Sequence, residues 1–309
     1  MPDSSVRLNQ LLTNVSTRYS NSVYIADTIA PVVGVKKETD SFAVYGWEQF
    51  RLPATRRGNK AEAHTASYAA SSSTYNLTYH ALKDHVSQRD RDNADAPQNP
   101  DIDATRNLTD LIMLRREVDC MTLMFTTTSW AQNSALISTT SWRYNTTTSG
   151  NPAIHAHSAQ SIILTNSGKR PNTVLIGHPT YMNLLDNANI LERLKYVTTG
   201  ILSKEIIASI MDVDKMVVGE AIQTTTQEGL GNTTGAVWAG NALFAYVAPA
   251  PGTNVVSAAY AFTLNGKQPY SVRKYRDEAK DADAIEVETA YQYRAVATLA
   301  AYLYTAVDL

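Results

Sequence analysis

A chain of 309 residues is long enough for one elaborated domain or two ordinary ones, with a sizeable core. At 44% hydrophobic and 18% charged residues, with a net charge of −2, it is too apolar to be disordered and too balanced to neutralise nucleic-acid phosphates in bulk. The first ten residues hold no apolar run and no stretch of 18 apolar residues occurs, so neither a secretory signal nor a membrane span is expected, and the chain should be made in a cytoplasm. Cys120 is the single cysteine, which excludes an internal disulfide; its place in a helical pattern predicts a buried, inert thiol.

Residues 1–40 are polar and thinly apolar, with the runs Val23-Tyr24-Ile25 and Ile29 to Val35. Pro31 argues against helix there and the β-branched residues favour strand. They read as an arm with too little to bury alone. Between about 42 and 80, two extended stretches flank a centre containing Pro53, Arg56, Arg57, Gly58 and Lys60. Tyr75, Leu77 and Tyr79 alternate with polar residues at the period of a half-buried strand, so a long hairpin with a basic tip is predicted. Two strands alone are marginal in water, and this hairpin needs a partner surface.

The alternating charges from Arg89 and the prolines at 97 and 100 predict a linker. Asp101 or Asp103 can then cap a helix of about 25 residues whose apolar positions, Ala104, Leu108, Ile112, Met121 and Met124 among them, recur at threes and fours. Arg115, Arg116 and Asp119 share one side of it while Glu117 stands apart, and the charged side is expected to face solvent or a neighbouring subunit.

Residues 129–150 look irregular, with Trp130 and Trp142 among Thr and Ser. A helix from about Ala153 to Thr165, a turn through Gly168 and Pro171, a strand Thr173–Ile176 and a helix from His178-Pro179 to about Tyr196 follow. Next come a helix Lys204–Met211, the strand Lys215–Val218, a Gly- and Thr-rich loop 224–235, and strands 236–238 and 242–247. The tail offers extended runs at 258–264, 270–275, 284–289 and 291–303. The switching between strand and helix predicts an α+β body.

Chemistry-bearing patterns are sparse. His155 and His157 lie two apart on a predicted helix and point away from each other; His80 and His85, five apart, miss the spacing of a helical metal site. No phosphate-binding loop, nucleophile elbow or dinucleotide fingerprint occurs, so no catalytic, metal or cofactor residue is expected. The mixed charges of Lys274, Arg276, Asp277, Glu278, Lys280, Asp281 and Asp283 read as a solvated turn, or as a charge-complementary contact with another subunit. The basic tip, Arg51, Arg56, Arg57 and Lys60, could touch nucleic acid or dock on an acidic neighbour; without interleaved aromatics the second is favoured.

The order of arm, projecting hairpin, long helix, α+β body and Gly-rich lobe resembles the major capsid protein of tailed bacteriophages, of the Hong Kong 97 type. Three stretches carry the likeness: residues 24–33 (YIADTIAPVV) with 45–50 (YGWEQF); residues 172–179 (NTVLIGHP); and residues 213–221 (VDKMVVGEA) with 237–243 (VWAGNAL). The resemblance implies an N-terminal arm at 1–40, an E-loop hairpin and linker at 41–100, a spine helix at 101–128, a P-domain from 129–197 and 271–309, and an A-domain at 198–270. It implies a homo-oligomer of pentamers and hexamers forming an icosahedral or prolate shell around double-stranded DNA, not an enzyme, with no cofactor. Because the chain begins at the arm, a scaffold is expected to be a separate protein or absent; portal and decoration proteins are the other partners the resemblance allows. Some members cross-link Lys to Asn between subunits, but nothing assigns that role to Lys60 and Asn59. Intersubunit contact is expected at Trp47, Phe50, Arg56, Arg57, Lys60, Tyr75 and Tyr79. An encapsulin-like compartment enclosing an enzyme is the alternative within the fold; a soluble hydrolase is the alternative outside it, and no convergent acid, base and nucleophile supports it.

Overall fold

The computed structural model describes residues 24–44, 50–60, 62–65, 71–94, 99–143, 150–195, 202–226, 233–252, 255–265 and 269–308. Its spine is helix α3 (Pro100–Met124), which starts earlier than expected. Asn99 caps it by accepting from the Ile102 N–H, and Pro100 sits in the first turn, where its missing N–H costs nothing. Twenty-five residues at 1.5 Å each make a rod of about 37 Å. The linker expected before it contains a short helix, α2 (Gln88–Asp92), begun by a capping box between Ser87 and Asp90.

The rod joins two sheets. In the first, β13 (Ala282–Ala295) is flanked along residues 282–288 by β12 (Ser271–Asp277) on one edge and β4 (Thr78–Ser87) on the other. Its far end pairs with β11 (Ala259–Leu264), which carries β1 (Val32–Val35) in parallel. Alternate residues of β12 and β13, namely Val272, Ile285 and Val287, bury themselves with Val86 against Ala104, Leu108 and Ile112 of α3. The expected break in the tail at residue 290 is absent, and β13 runs through it.

The second sheet has the order β5 (Asn133–Ala135), β14 (Ala301–Thr305), β10 (Asn241–Ala245), β6 (Thr173–Gly177), β7 (Lys215–Gly219). It is covered on both faces. Val174, Ile176, Met216, Val218 and Phe244 meet the helices α4 (Pro152–Ser167), α5 (His178–Leu185), α6 (Ala188–Leu194) and α7 (Lys204–Ile210). Leu175, Val217, Leu243 and Leu303 point the other way, into a core shared with Cys120 and Met124 at the end of α3. The single helix predicted over 178–196 is two, because Asn187 caps the second. Trp130 and Trp142, in the segment expected to be irregular, are both buried. β6 and β7 are neighbours although the expected P- and A-domain boundary at 197/198 lies between them, so the sheets cut across that boundary.

Two further pairs project from the body. β2 (Thr39–Val44) pairs antiparallel with β3 (Ser71–Asn76), a hairpin where one was expected, although the expected strand through Tyr75, Leu77 and Tyr79 breaks at Leu77 and Tyr79 belongs to β4; β8 (Ile222–Thr224) pairs with β9 (Thr234–Ala236). The arm departs from expectation. From residue 24 it makes a helical turn, α1 (Ala26–Ile29), and then β1, with Ala26, Ile29 and Ala30 buried in the chain's own core.

Trp238 passes close to two glycines. A Cβ on Gly177 would lie 1.9 Å from the Trp238 carbonyl oxygen, an obstacle of backbone that cannot swing aside. Gly177→Ala should therefore destabilise the dispersed subunit by about 1–3 kcal/mol, as overpacking does, read as a shift in the denaturation midpoint; an unchanged midpoint would show the crossing to be looser than this.

Candidate assembly surface and the node that supports it

The end of α3 carries an arrangement that the helical wheel alone misplaces. Arg116 and Glu117, expected at a surface or apart from one, are both buried, at 1% and 0% exposure. The Glu117 carboxylate accepts the backbone N–H groups of Ile25 and Ala26 at 2.9–3.1 Å and the Trp238 indole N–H at 2.6 Å. Three segments far apart in sequence meet on one side chain: arm root, spine and second lobe. Burial pushes the Glu117 carboxyl above its usual range, and the hydrogen bonds from Ile25, Trp238 and Ala26 oppose that shift. Arg116 donates to Asp27 at 2.7 Å and lies over the Tyr291 ring at 5.3 Å. Cys120, beside them, is fully buried, and burial pushes its thiol up, as an inert thiol requires.

With the arm root fixed, β1 and the hairpin base are fixed in turn. Tyr75 stacks on Phe262 with ring centroids 4.8 Å apart, and Phe42 lies 5.5 Å from the same ring. Asn76 N–H donates to the Gln292 side chain, and Arg294 donates to the Thr74 carbonyl. Tyr75 is therefore packed on its own chain while still lining the edge of a cleft, and Leu77 beside it is buried too. Tyr79 remains 43% exposed and donates to Glu38 at 2.6 Å.

Beyond the hairpin strands every residue from 50 to 60 is exposed, Arg51, Arg56, Arg57 and Lys60 included, and Lys60 has a left-handed φ of +59°. Leu52 is 89% exposed and Phe50 66%, although Phe50 rests one side of its ring on Gly168. Trp47 lies outside the described residues. Under the hairpin base is a cleft of about 370 Å³ walled by Val35, Phe42, Tyr75, Val256 and Phe262.

The ionic and histidine features are structural. Arg91 of α2 bridges Asp101 and Asp283, at 2.9 and 2.7 Å, and Lys274 reaches both carboxylates. The mixed-charge turn thus pins its Asp283 to the spine, while Glu278 and Asp281 stay exposed. His155 is no surface residue: its Nδ1 accepts from the Trp142 indole at 3.0 Å, and burial lowers its pKa. His80 and His85 lie on β4 rather than a helix, the first stacked on Tyr291 and the second paired with Asp277. Among the described residues no His, Cys, Asp and Glu group is placed to hold a metal ion, and no helix is long and apolar enough to cross a membrane.

Across 99% of both chains the structure is similar to that of a phage-related protein from Bordetella bronchiseptica RB50, with a TM-score of 0.77 at 20% identity. It is also similar to the capsid structure of the Cyanophage P-SCSP1u, with a TM-score of 0.61 at 10% identity, over 90% of this chain and 86% of that one. The fold is the Hong Kong 97-type capsid fold. No family model matches the sequence. In sequence the chain is 27% identical to the major capsid protein of Burkholderia phage BcepMu over 241 residues, 78% of this chain and 76% of the relative. It is likewise 27% identical to that of Pseudomonas phage JBD67 over 252 residues, 80% of this chain and 79% of the relative. For a capsid fold, the features that matter are the outward hairpin loop, the cleft at its base, and the buried node that holds both in place.

Two outcomes test the node and the ionic bridge. Glu117→Gln puts an amide NH2 where three N–H donors converge, so one donor loses its acceptor, and the subunit should lose about 1–3 kcal/mol in a denaturant titration. For Asp101 and Asp283, burial alone would raise the pKa, but Arg91 and Lys274 outweigh it and hold both below the usual carboxylate range. Stability from this bridge is therefore present at neutral pH and lost as pH falls through the folded-state values. The midpoint gap between wild type and Arg91→Ala should be widest near about pH 7 and shrink towards about pH 3; a gap that grows on acidification would contradict the assignment.

Proposed function

We propose that this chain is a major capsid protein of a tailed bacteriophage, a structural subunit that self-assembles into the icosahedral or prolate shell enclosing double-stranded DNA and resides in the virion. The observation that carries this reading is the similarity, over about four-fifths of the chain, to two proteins that are themselves phage major capsid proteins, on a capsid fold that spans the whole chain. The same relatives favour a phage shell over an encapsulin-like compartment. The chain acts through surfaces and not through a reaction.

In the shell, copies associate as pentamers and hexamers through the lobe of residues 198–270, while the arm and the E-loop hairpin reach adjacent copies. The reach of the arm is shorter than its length in sequence, because residues 24–35 are packed on the chain's own spine and first sheet. The hairpin loop supplies exposed apolar and cationic side chains together, the composition of an interface rather than of a solvated loop. Packaged DNA is touched weakly, consistent with a net charge of −2. Scaffolding, portal and decoration proteins are separate partners.

Particles from infected cells should contain nuclease-protected double-stranded DNA; particles holding protein cargo and no DNA would favour the compartment instead. If Trp47 and Phe50 anchor the hairpin on a neighbour, alanine at either should cost about 2–4 kcal/mol per contact, as interface anchors do. The double variant should yield folded subunits that form no stable shell, and normal particles with unchanged melting would refute the anchoring.

A further inference from the structure

The hairpin offers both halves of one contact. At its far end Leu52 is 89% exposed, between Arg51 and Pro53, in a loop where every described residue from 50 to 60 is exposed. Phe50, 66% exposed, stands two residues from Leu52, so the loop presents two large apolar side chains that burial against another surface would stabilise. At its base the cleft of about 370 Å³ is walled by Phe42, Tyr75, Val256, Tyr260 and Phe262, and among the described residues Asp40 is the charged one that lines it. Leu52 does not fill this cleft in its own chain, since its side chain is in solvent.

We propose that the cleft at the hairpin base is a socket for the hairpin loop of a second copy, which seats Leu52 among the rings and sets Arg51 against Asp40. The inference rests on the shell reading above and names the surface that receives the loop. Three features support it. Arg51, beside Leu52, complements Asp40 in the cleft's described lining, and Lys37, which pairs with Asp40 at 3.3 Å, is 73% exposed and can swing away. The cleft's volume of about 370 Å³ leaves room for a leucine side chain and lies at the low end for a ligand pocket. Knob and socket lie on different parts of one chain, so the contact joins copies head to tail, and such contacts close into rings when the rotation permits. A ring is what a pentamer or hexamer needs. The socket also lies between β1 and the hairpin strands, so filling it locks the hairpin base to the arm.

The test uses full-length subunits and asks for pairing as well as for failure. Leu52→Asp removes the knob, and Val256→Trp, at a position 37% exposed in the free chain, blocks the socket without touching the core. Each variant alone should melt as wild type does and stay monomeric in sedimentation velocity, with assembled material down at least about tenfold. Mixed in equal amounts they retain one intact socket and one intact knob, so they should give a dimer and stop there. Arg51→Glu and Asp40→Arg should each slow assembly, and the two combined in one chain should restore it to within about threefold. Particles forming normally from either single apolar variant would overturn the socket while leaving the shell reading standing. So would a mixture that stays monomeric, a charge swap that restores nothing, or a small molecule found in the cleft of purified subunits by native mass spectrometry. Wild-type protein that forms no particles at all would overturn both.

Discussion

The structure depends on one buried carboxylate. Glu117 has no exposed surface, and an isolated charge so placed would cost several kcal/mol. What keeps it there is a complete set of donors: two backbone N–H groups from the arm root and one indole N–H from the second lobe. The arm turn at residues 25–29 leaves its first N–H groups open, as every helical start does, and Glu117 supplies the acceptor that a side-chain cap would otherwise give. Removing the carboxylate therefore leaves three donors stranded at once, which is why this contact outranks the surface ion pairs.

From that node the architecture follows outward. The first two-thirds of α3 bury Ala104, Leu108 and Ile112 on the first sheet, and its last turns bury Cys120 and Met124 against the second. The helix is thus the shared wall of two cores, and the arm root is clamped where they join. Because the arm is clamped, β1 can pair with β11, and because β11 presents Phe262, the hairpin has something to stack on. The outward-facing loop is carried on a rigid base, the arrangement that a contact between copies requires.

Much of this was legible in the sequence. The alternation around Tyr75 marked a hairpin, the threes and fours of α3 marked the spine, and the apolar run at 173–176 marked a strand; all three are present. The failures share a cause. Arg116 looked like part of a face turned to solvent or a neighbouring subunit, and Glu117 merely stood apart from it, because a helical wheel counts charges and cannot see donors arriving from residues 25, 26 and 238. Nothing in the sequence pointed to the ring on which Tyr75 stacks, because Phe262 lies 187 positions away. The arm looked unable to bury itself for the same reason, and the prolines at 97 and 100 read as a linker although Pro100 opens a helix. Periodicity reports what a segment does alone; long-range polar satisfaction lies outside its reach. The sign that could have pointed to the node is a Glu next to an Arg in the apolar last third of a long helix, where charge must find a partner.

The measurement that bears most directly on the central claim is the mass and shape of the purified wild-type chain, from electron micrographs and light scattering of one preparation. The account predicts closed particles of uniform diameter whose mass is a large multiple of 33.9 kDa. A stable monomer of that mass, under conditions that span salt and concentration, would contradict it.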